Sequence, residues 1–135
     1  MDLLNKKCKL LEESKDGQAC DLINYIVKKA SHENKEQIIK TLMKYADEGY
    51  MEHLRGYAVA RIVDLISEND ADYSSFFETC IKSKDDSKIY WGIEGYIKIR
   101  GGSSCDFLIP FVFCNDFPLN CKANIIKKLS MITNN

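Results

Sequence analysis

The stretch "YWGIEGYIKIRGG", residues 90–102, decides the fold, because it fits two periods at once. Alternation through Ile93, Gly95, Ile97 and Ile99 suits a β-strand, whereas Ile89, Ile93, Tyr96 and Ile97 mark one face of a helix. The helical alternative turns Trp91, the only tryptophan in the chain, away from the core.

Comparison with the rest of the chain resolves the ambiguity. An apolar doublet, a two-residue gap and a second doublet recur: Ile38-Ile39 with Leu42-Met43, Phe76-Phe77 with Cys80-Ile81, and Phe107-Leu108 with Phe111-Val112. A weaker copy is Leu3-Leu4 with Lys7-Cys8. Positions i, i+1, i+4 and i+5 share a helical face and do not fit a strand's period of two. Each doublet is followed by a ladder of helical spacing. Leu54, Ala58, Ile62 and Leu65 form one; Ile89, Ile93 and Ile97 repeat it 35 residues later; Cys121, Ile125, Leu129 and Ile132 repeat it 32 residues after that. Leu22 and Ile26 are a fainter version near the N-terminus. Residues 90–100 therefore occupy a helical slot, their glycines costing about 1 kcal/mol each relative to alanine.

Turn residues separate the ladders at Asp16-Gly17, Glu48-Gly49, "KSKDDS" (82–87), "GGSS" (101–104) and "CNDFP" (114–118). Asp70, Ser87 and Ser103 or Ser104 are expected as N-caps. Pro118 fits a first helical turn, and Pro110 starts or kinks its short helix. The expected structure is all-α. It has eight helices, near 2–14, 18–30, 34–47, 51–68, 71–83, 87–100, 104–113 and 118–132. They would form four antiparallel pairs, units 2–30, 34–68, 71–100 and 104–132, within a single domain spanning 1–135. Such pairs cannot bury their stripes alone; stacked, they make a short α-solenoid.

The last unit, "FLIPFVFCNDFPLNCKANIIKKLSMI" (107–132), resembles a HEAT repeat: Leu-Ile-Pro in its first helix, Asp116 in the turn, Lys122 six residues later, then an apolar ladder. The second unit keeps Leu54-Arg55 and Ala58 at matching places, with Gly49 for the turn aspartate. The third has Tyr90 where a basic residue belongs. The resemblance covers about residues 34–133, and the first pair is atypical, as capping repeats often are.

Composition narrows the function classes. The chain has 135 residues, 45% of them hydrophobic and 29% charged, as in ordinary globular domains. Nineteen Lys+Arg against 20 Asp+Glu leave a net charge of -1, so no basic excess draws the chain to a phosphate backbone. The longest apolar run, "FLIPFVF" (107–113), is too short to span a bilayer. "MDLLNKKCKLLEESK" is not a secretion signal, and a cytoplasmic location is expected. The six cysteines (Cys8, Cys20, Cys80, Cys105, Cys114, Cys121) include no C-x-x-C pair and are read as free thiols.

No catalytic, metal-binding or cofactor-binding constellation emerges. "RGGSSCD" (100–106) lacks a P-loop lysine and reads as a helix C-cap followed by an N-cap. Cys8 or Cys20 as a nucleophile would need His32 or His53, but both histidines sit in polar surroundings. Recognition of a protein is the better expectation. In a HEAT-like stack the second helices line the concave face. There the helical wheel aligns Trp91, Glu94 and Lys98 opposite Ile89, Ile93 and Ile97, with Tyr90 at the flank. Gly92 and Gly95 would permit close approach of a partner. The preceding second helix offers Arg55, Val59, Val63 and Ser67 with Asp64 at its edge; the following one offers Asn120, Asn124, Lys127 and Met131. Trp91 has two roles open to it: packing between units, or anchoring a partner.

Taken whole, the chain looks like the small helical immunity proteins of bacterial contact-dependent growth inhibition systems. Its Lys/Asn/Ile-rich composition, its length and the degenerate HEAT pattern ending at "LSMITNN" (129–135) carry that likeness. The resemblance implies a cytoplasmic, non-enzymatic antitoxin, monomeric in a 1:1 complex, that occludes the active site of a toxin domain, commonly a nuclease. Aromatic anchors would be Trp91 and Tyr90. Carboxylates answering a basic cleft would be Glu94, Asp64, Glu68, Asp85 and Asp86, with Lys98, Asn124 and Lys127 beside them. The alternative is a HEAT-like scaffold docking an endogenous protein. A HEAT-like DNA-repair glycosylase would be longer and carry a basic groove.

Overall fold

A computed structural model describes residues 2–133; the final two asparagines of "LSMITNN" lie outside the described residues. The described residues are all-helical, with no strand among them, so the 90–102 stretch is helical. The chain divides into two compact units, residues 1–65 and 66–135.

The first unit contains α1 (Leu3–Glu13), α2 (Gln18–Lys28), α3 (Lys35–Glu48) and α4 (Glu52–Leu65). Asp2 starts α1, its side chain accepting a 2.8 Å hydrogen bond from the Asn5 N–H. This satisfies one of the orphan donors of the first turn. α1 packs on α2 and α3 on α4, with further contacts of α1 to α3 and α2 to α4. The Ile38-Ile39 doublet and Leu42 are fully buried, as are Ile23 and Ile26 from α2. On α4 the buried face holds Leu54, Ala58, Val59 and Ile62. Val59 had been expected on the partner-facing side; instead its side chain joins the core. Leu65, expected in the ladder, is only half-buried, and Ile66, just beyond the helix, is buried. α4 ends three residues before the expected 68, where Asp70 accepts from both the N–H (2.7 Å) and the hydroxyl (3.2 Å) of Ser67. That turn takes the Asp70 carboxylate, so it makes no side-chain cap on the turn that follows.

The second unit contains a 3-10 turn (Ala71–Tyr73), α5 (Ser74–Ile81), α6 (Asp86–Arg100), another 3-10 turn (Gly101–Ser104), α7 (Cys105–Val112) and α8 (Leu119–Thr133). α5 packs along α6, and α8 packs on both α6 and α7. Phe77, Ile81, Ile93, Leu108 and Ile125 are fully buried. The second turn of the α6 ladder falls on Tyr96 and Ile99, with Ile97 half-buried rather than central. α6 is capped by Asp85 and not by Ser87: its Oδ1 accepts from the N–H groups of Ser87 (3.0 Å) and Lys88 (3.3 Å). Gly101 closes α6 at φ 55°, its N–H donating to the Ile97 carbonyl. This left-handed position suits glycine. The serines expected as caps turn backward, Ser103 donating to the Arg100 carbonyl and Ser104 to the Gly101 carbonyl, both at 2.7 Å. Pro110 lies inside α7. Pro118 precedes α8, its carbonyl accepting from Cys121 and Lys122.

Candidate functional site

Eight of the expected contact residues lie on α6, its cap and α8, inside one unit. Asp86 is exposed in the first turn of α6. Tyr90 and Trp91 follow one turn on, both half-buried, their rings edge-to-face with centroids 5.1 Å apart and planes at 84°. Trp91 is thus neither a closed core residue nor a free surface ring.

Glu94 departs furthest from the expected picture. Its Oε2 lies 3.4 Å from the Lys128 Nζ, and its Oε1 accepts from the Asn124 Nδ2 at 3.5 Å. With its side chain only 18% exposed, Glu94 ties α6 to α8. Asn124 is used by the same bond. Lys128 had not been expected in the site. The signal for it was available: Asn124 and Lys128 are one helical turn apart, and side chains at i and i+4 share a face.

Lys98 and Lys127 are exposed. Asp85 is half-buried; one carboxylate oxygen caps α6 and the other is buried with no hydrogen-bond partner. Glu68 is exposed in the second unit, outside any helix. Asp64 is exposed in the first unit and paired with the Arg61 guanidinium at 2.9 Å.

Gly92 and Gly95 do not open a surface to a partner, because both are buried against α5. A Cβ on Gly95 would overlap the Phe77 ring, and one on Gly92 would stand 2.9 Å from the Cys80 Cβ. Their small size serves the α5–α6 contact.

None of the six cysteines is in a disulfide. Burial raises the Cys8 thiol above the usual range, and raises Cys121 to about 11, the Asp86 carboxylate adding to it. A raised pKa removes thiolate at neutral pH, so neither is an activated nucleophile. His32 and His53 are exposed. Among the described residues, no group of three or more His, Cys, Asp or Glu is placed to hold a metal ion. No described helix is long and apolar enough to cross a membrane.

Two hollows were not anticipated. In the first unit an open groove of about 630 Å³ is walled by α1 and α3; its Lys40–Glu36 (3.1 Å) and Lys44–Glu12 (3.6 Å) pairs compensate one another. In the second unit a cavity of about 480 Å³ lies between the α5–α6 turn, the start of α6 and the α7–α8 turn, floored by Ile81, Ile89, Phe111 and Phe117. No protein-family model, no curated protein and no solved structure matches the chain.

Proposed function

We propose that this chain is a short α-solenoid of four antiparallel HEAT-like pairs acting as a cytoplasmic immunity protein. It binds a cognate toxin domain, a nuclease by preference, and blocks its active site without catalysis of its own. The observation that carries a protein-binding function is the edge-to-face Tyr90–Trp91 pair, half-buried along α6. Asp86 is exposed one turn before it and Lys98 beyond it. Half-exposed aromatics among mixed charges are the composition of interface anchors. The solenoid is supported by the repeating ladders and by the pairing of consecutive helices inside each unit.

Inhibition is steric, with charge assisting encounter. Because Glu94 is engaged by Lys128 and Asn124, and Asp64 by Arg61, the carboxylates that answer a basic cleft are chiefly Asp86 and Glu68. Co-purification with the toxin-like domain encoded next to this chain, followed by titration calorimetry, tests the proposal. A 1:1 complex of about nanomolar Kd, weakened about 30-fold by Trp91→Ala, is expected. No complex, together with no protection of cells expressing that domain, would overturn it. The pairing of Glu94 and Asp64 within the chain favours one other reading, a scaffold for an endogenous partner without a basic cleft. A scaffold confers no protection against toxin.

A further inference from the structure

α7 is apolar on nearly every side and yet almost unburied. It carries most of the longest apolar run of the chain, "FLIPFVF" (107–113), but of its own residues only Leu108 is buried. A helix that is apolar all round is normally enclosed. The outward line of α7 is Asp106, Ile109 and Pro110, continued by Phe113 just past its end, all exposed and spaced i, i+3, i+4 and i+7. α8 adds a second line of exposed residues, Leu119, Ala123 and Ile126. Among the described residues, Phe113 and Leu119 are the most exposed large hydrophobic side chains, at 79% and 80%.

The two helices pack on each other, and their relative direction is defined. Residues 113–118 turn α7 into α8, so Phe113 and Leu119 stand at one end of the pair. The 3-10 turn that precedes α7 packs on α8, and a Cβ on Gly102 would lie 3.7 Å from the Ile132 Cγ2. The start of α7 is therefore beside the end of α8. Asp106 and Lys127, both exposed, lie toward that other end.

Size and charge together say what covers this face. At on the order of 100 Å² or more per fully exposed large side chain, Ile109, Phe113, Leu119 and Ile126 leave roughly 300–400 Å² of apolar surface to water. The apolar share of one side of a standard interface is about 450 Å², and Pro110 and Ala123 supply most of the difference. One aspartate and one lysine leave the face without net charge, whereas an anionic lipid surface or a nucleic acid requires a basic excess. The charges complement the face itself instead. A twofold axis running along the helix pair lays α7 of one copy on α8 of the other. It sets Asp106 of each copy across from Lys127 of the other, with Ile109 and Ile126 between. An isologous contact of this kind uses one patch twice and closes at two copies.

We infer that the outer face of α7 and α8 is a twofold contact between two copies of this chain. The inference goes beyond the antitoxin proposal and does not rest on it. Each copy would still hold one toxin, within a dimer where the immunity-protein resemblance implies a monomer.

Sedimentation of the intact chain at about 1 to 200 µM tests it. The mass should rise from that of one chain to that of two and no further, with a Kd of about 10 µM, as suits a face at the small end of specific interfaces. Phe113→Ser and Leu119→Ser remove side chains that lie outside the core, so each should weaken the dimer about tenfold or more while the urea midpoint stays put. Leu3→Ser, exposed on α1 in the first unit, should leave the dimer unchanged. A charge swap reads the geometry: Asp106→Lys alone should weaken the dimer, and adding Lys127→Asp should restore it. A constant single-chain mass, growth past two copies, indifference to both serine variants, or a swap that does not rescue overturns the inference. So does a chain that stays monomeric and co-sediments with anionic phospholipid vesicles, which would assign the face to a membrane. Toxin binding is measured separately. Loss of the dimer leaves the antitoxin proposal standing, and absence of a toxin complex leaves the dimer standing.

Discussion

Gly95 marks the point where the helical period tells which residues share a face but not what lies against it. The glycines at 92 and 95 stand out in the sequence, yet their neighbour is Phe77 of α5 and not an outside molecule. Gly95→Ala sets two effects against each other. Alanine is the better helix former by about 1 kcal/mol, whereas forcing a methyl into a closed contact costs about 1–3 kcal/mol. The Phe77 ring is fully buried and cannot swing aside, so overpacking wins. Urea unfolding should show Gly95→Ala destabilised by about 1–2 kcal/mol net. Gly17→Ala is the control: nothing lies within 4 Å of a Cβ there, and its φ is -64°. It should be neutral or slightly stabilising. Equal stability of both variants would mean that the α5–α6 contact is looser than the geometry indicates.

For whole elements, apolar spacing placed the helices well and side-chain chemistry placed their ends poorly. The doublets and ladders predict the helices because burial follows the 3.6-residue period directly. Caps depend on which of several adjacent polar residues reaches the free N–H groups, and "KSKDDS" contains several. Asp85 takes that place at α6, leaving Ser87 inside the first turn. Asp85→Ala should therefore lower stability by about 1 kcal/mol, and Ser87→Ala by less than about 0.5. The reverse order would return the cap to Ser87. The link between α6 and α8 was illegible for a related reason. A wheel identifies Glu94 as lying off the apolar stripe, but a long side chain can bend to a neighbouring helix that one sequence does not position. A double-mutant cycle of Glu94→Gln and Lys128→Met should give a coupling of about 0.5–1 kcal/mol, reduced by added salt. Zero coupling at low salt would free Glu94 for the partner after all.

Across the whole molecule, the expected contact set divides between the two units. Asp64 belongs to the unit of residues 1–65, the other nine to the unit of residues 66–135. A stripe drawn from repeat positions assumes that every repeat presents the same face, whereas Val59 on α4 is buried. Cysteine burial was more legible, because cysteines at apolar ladder positions behave as small hydrophobes. Cys8, Cys80 and Cys121 are buried, Cys20 and Cys105 half-buried, and Cys114 is exposed. Reaction with a water-soluble disulfide reagent should thus be fast at Cys114, slower at Cys20 and Cys105, and confined to the unfolded chain at the other three. The same burial sets a pH dependence. The folded thiol of Cys121 titrates at about 11, and that of Cys8 is also raised, mainly by burial. Unfolded cysteine titrates near about 8.5. On raising the pH, the unfolded chain releases these protons first, so unfolding becomes easier between about pH 8.5 and 11 and stability is fully present below that window. The urea midpoint should stay level from neutrality to about pH 8 and fall above it, with Cys121→Ala shallower in slope though lower overall. A slope unchanged by that substitution would show that Cys121 ionises as readily folded as unfolded, which a thiol with no exposed surface in the α8 core should not do.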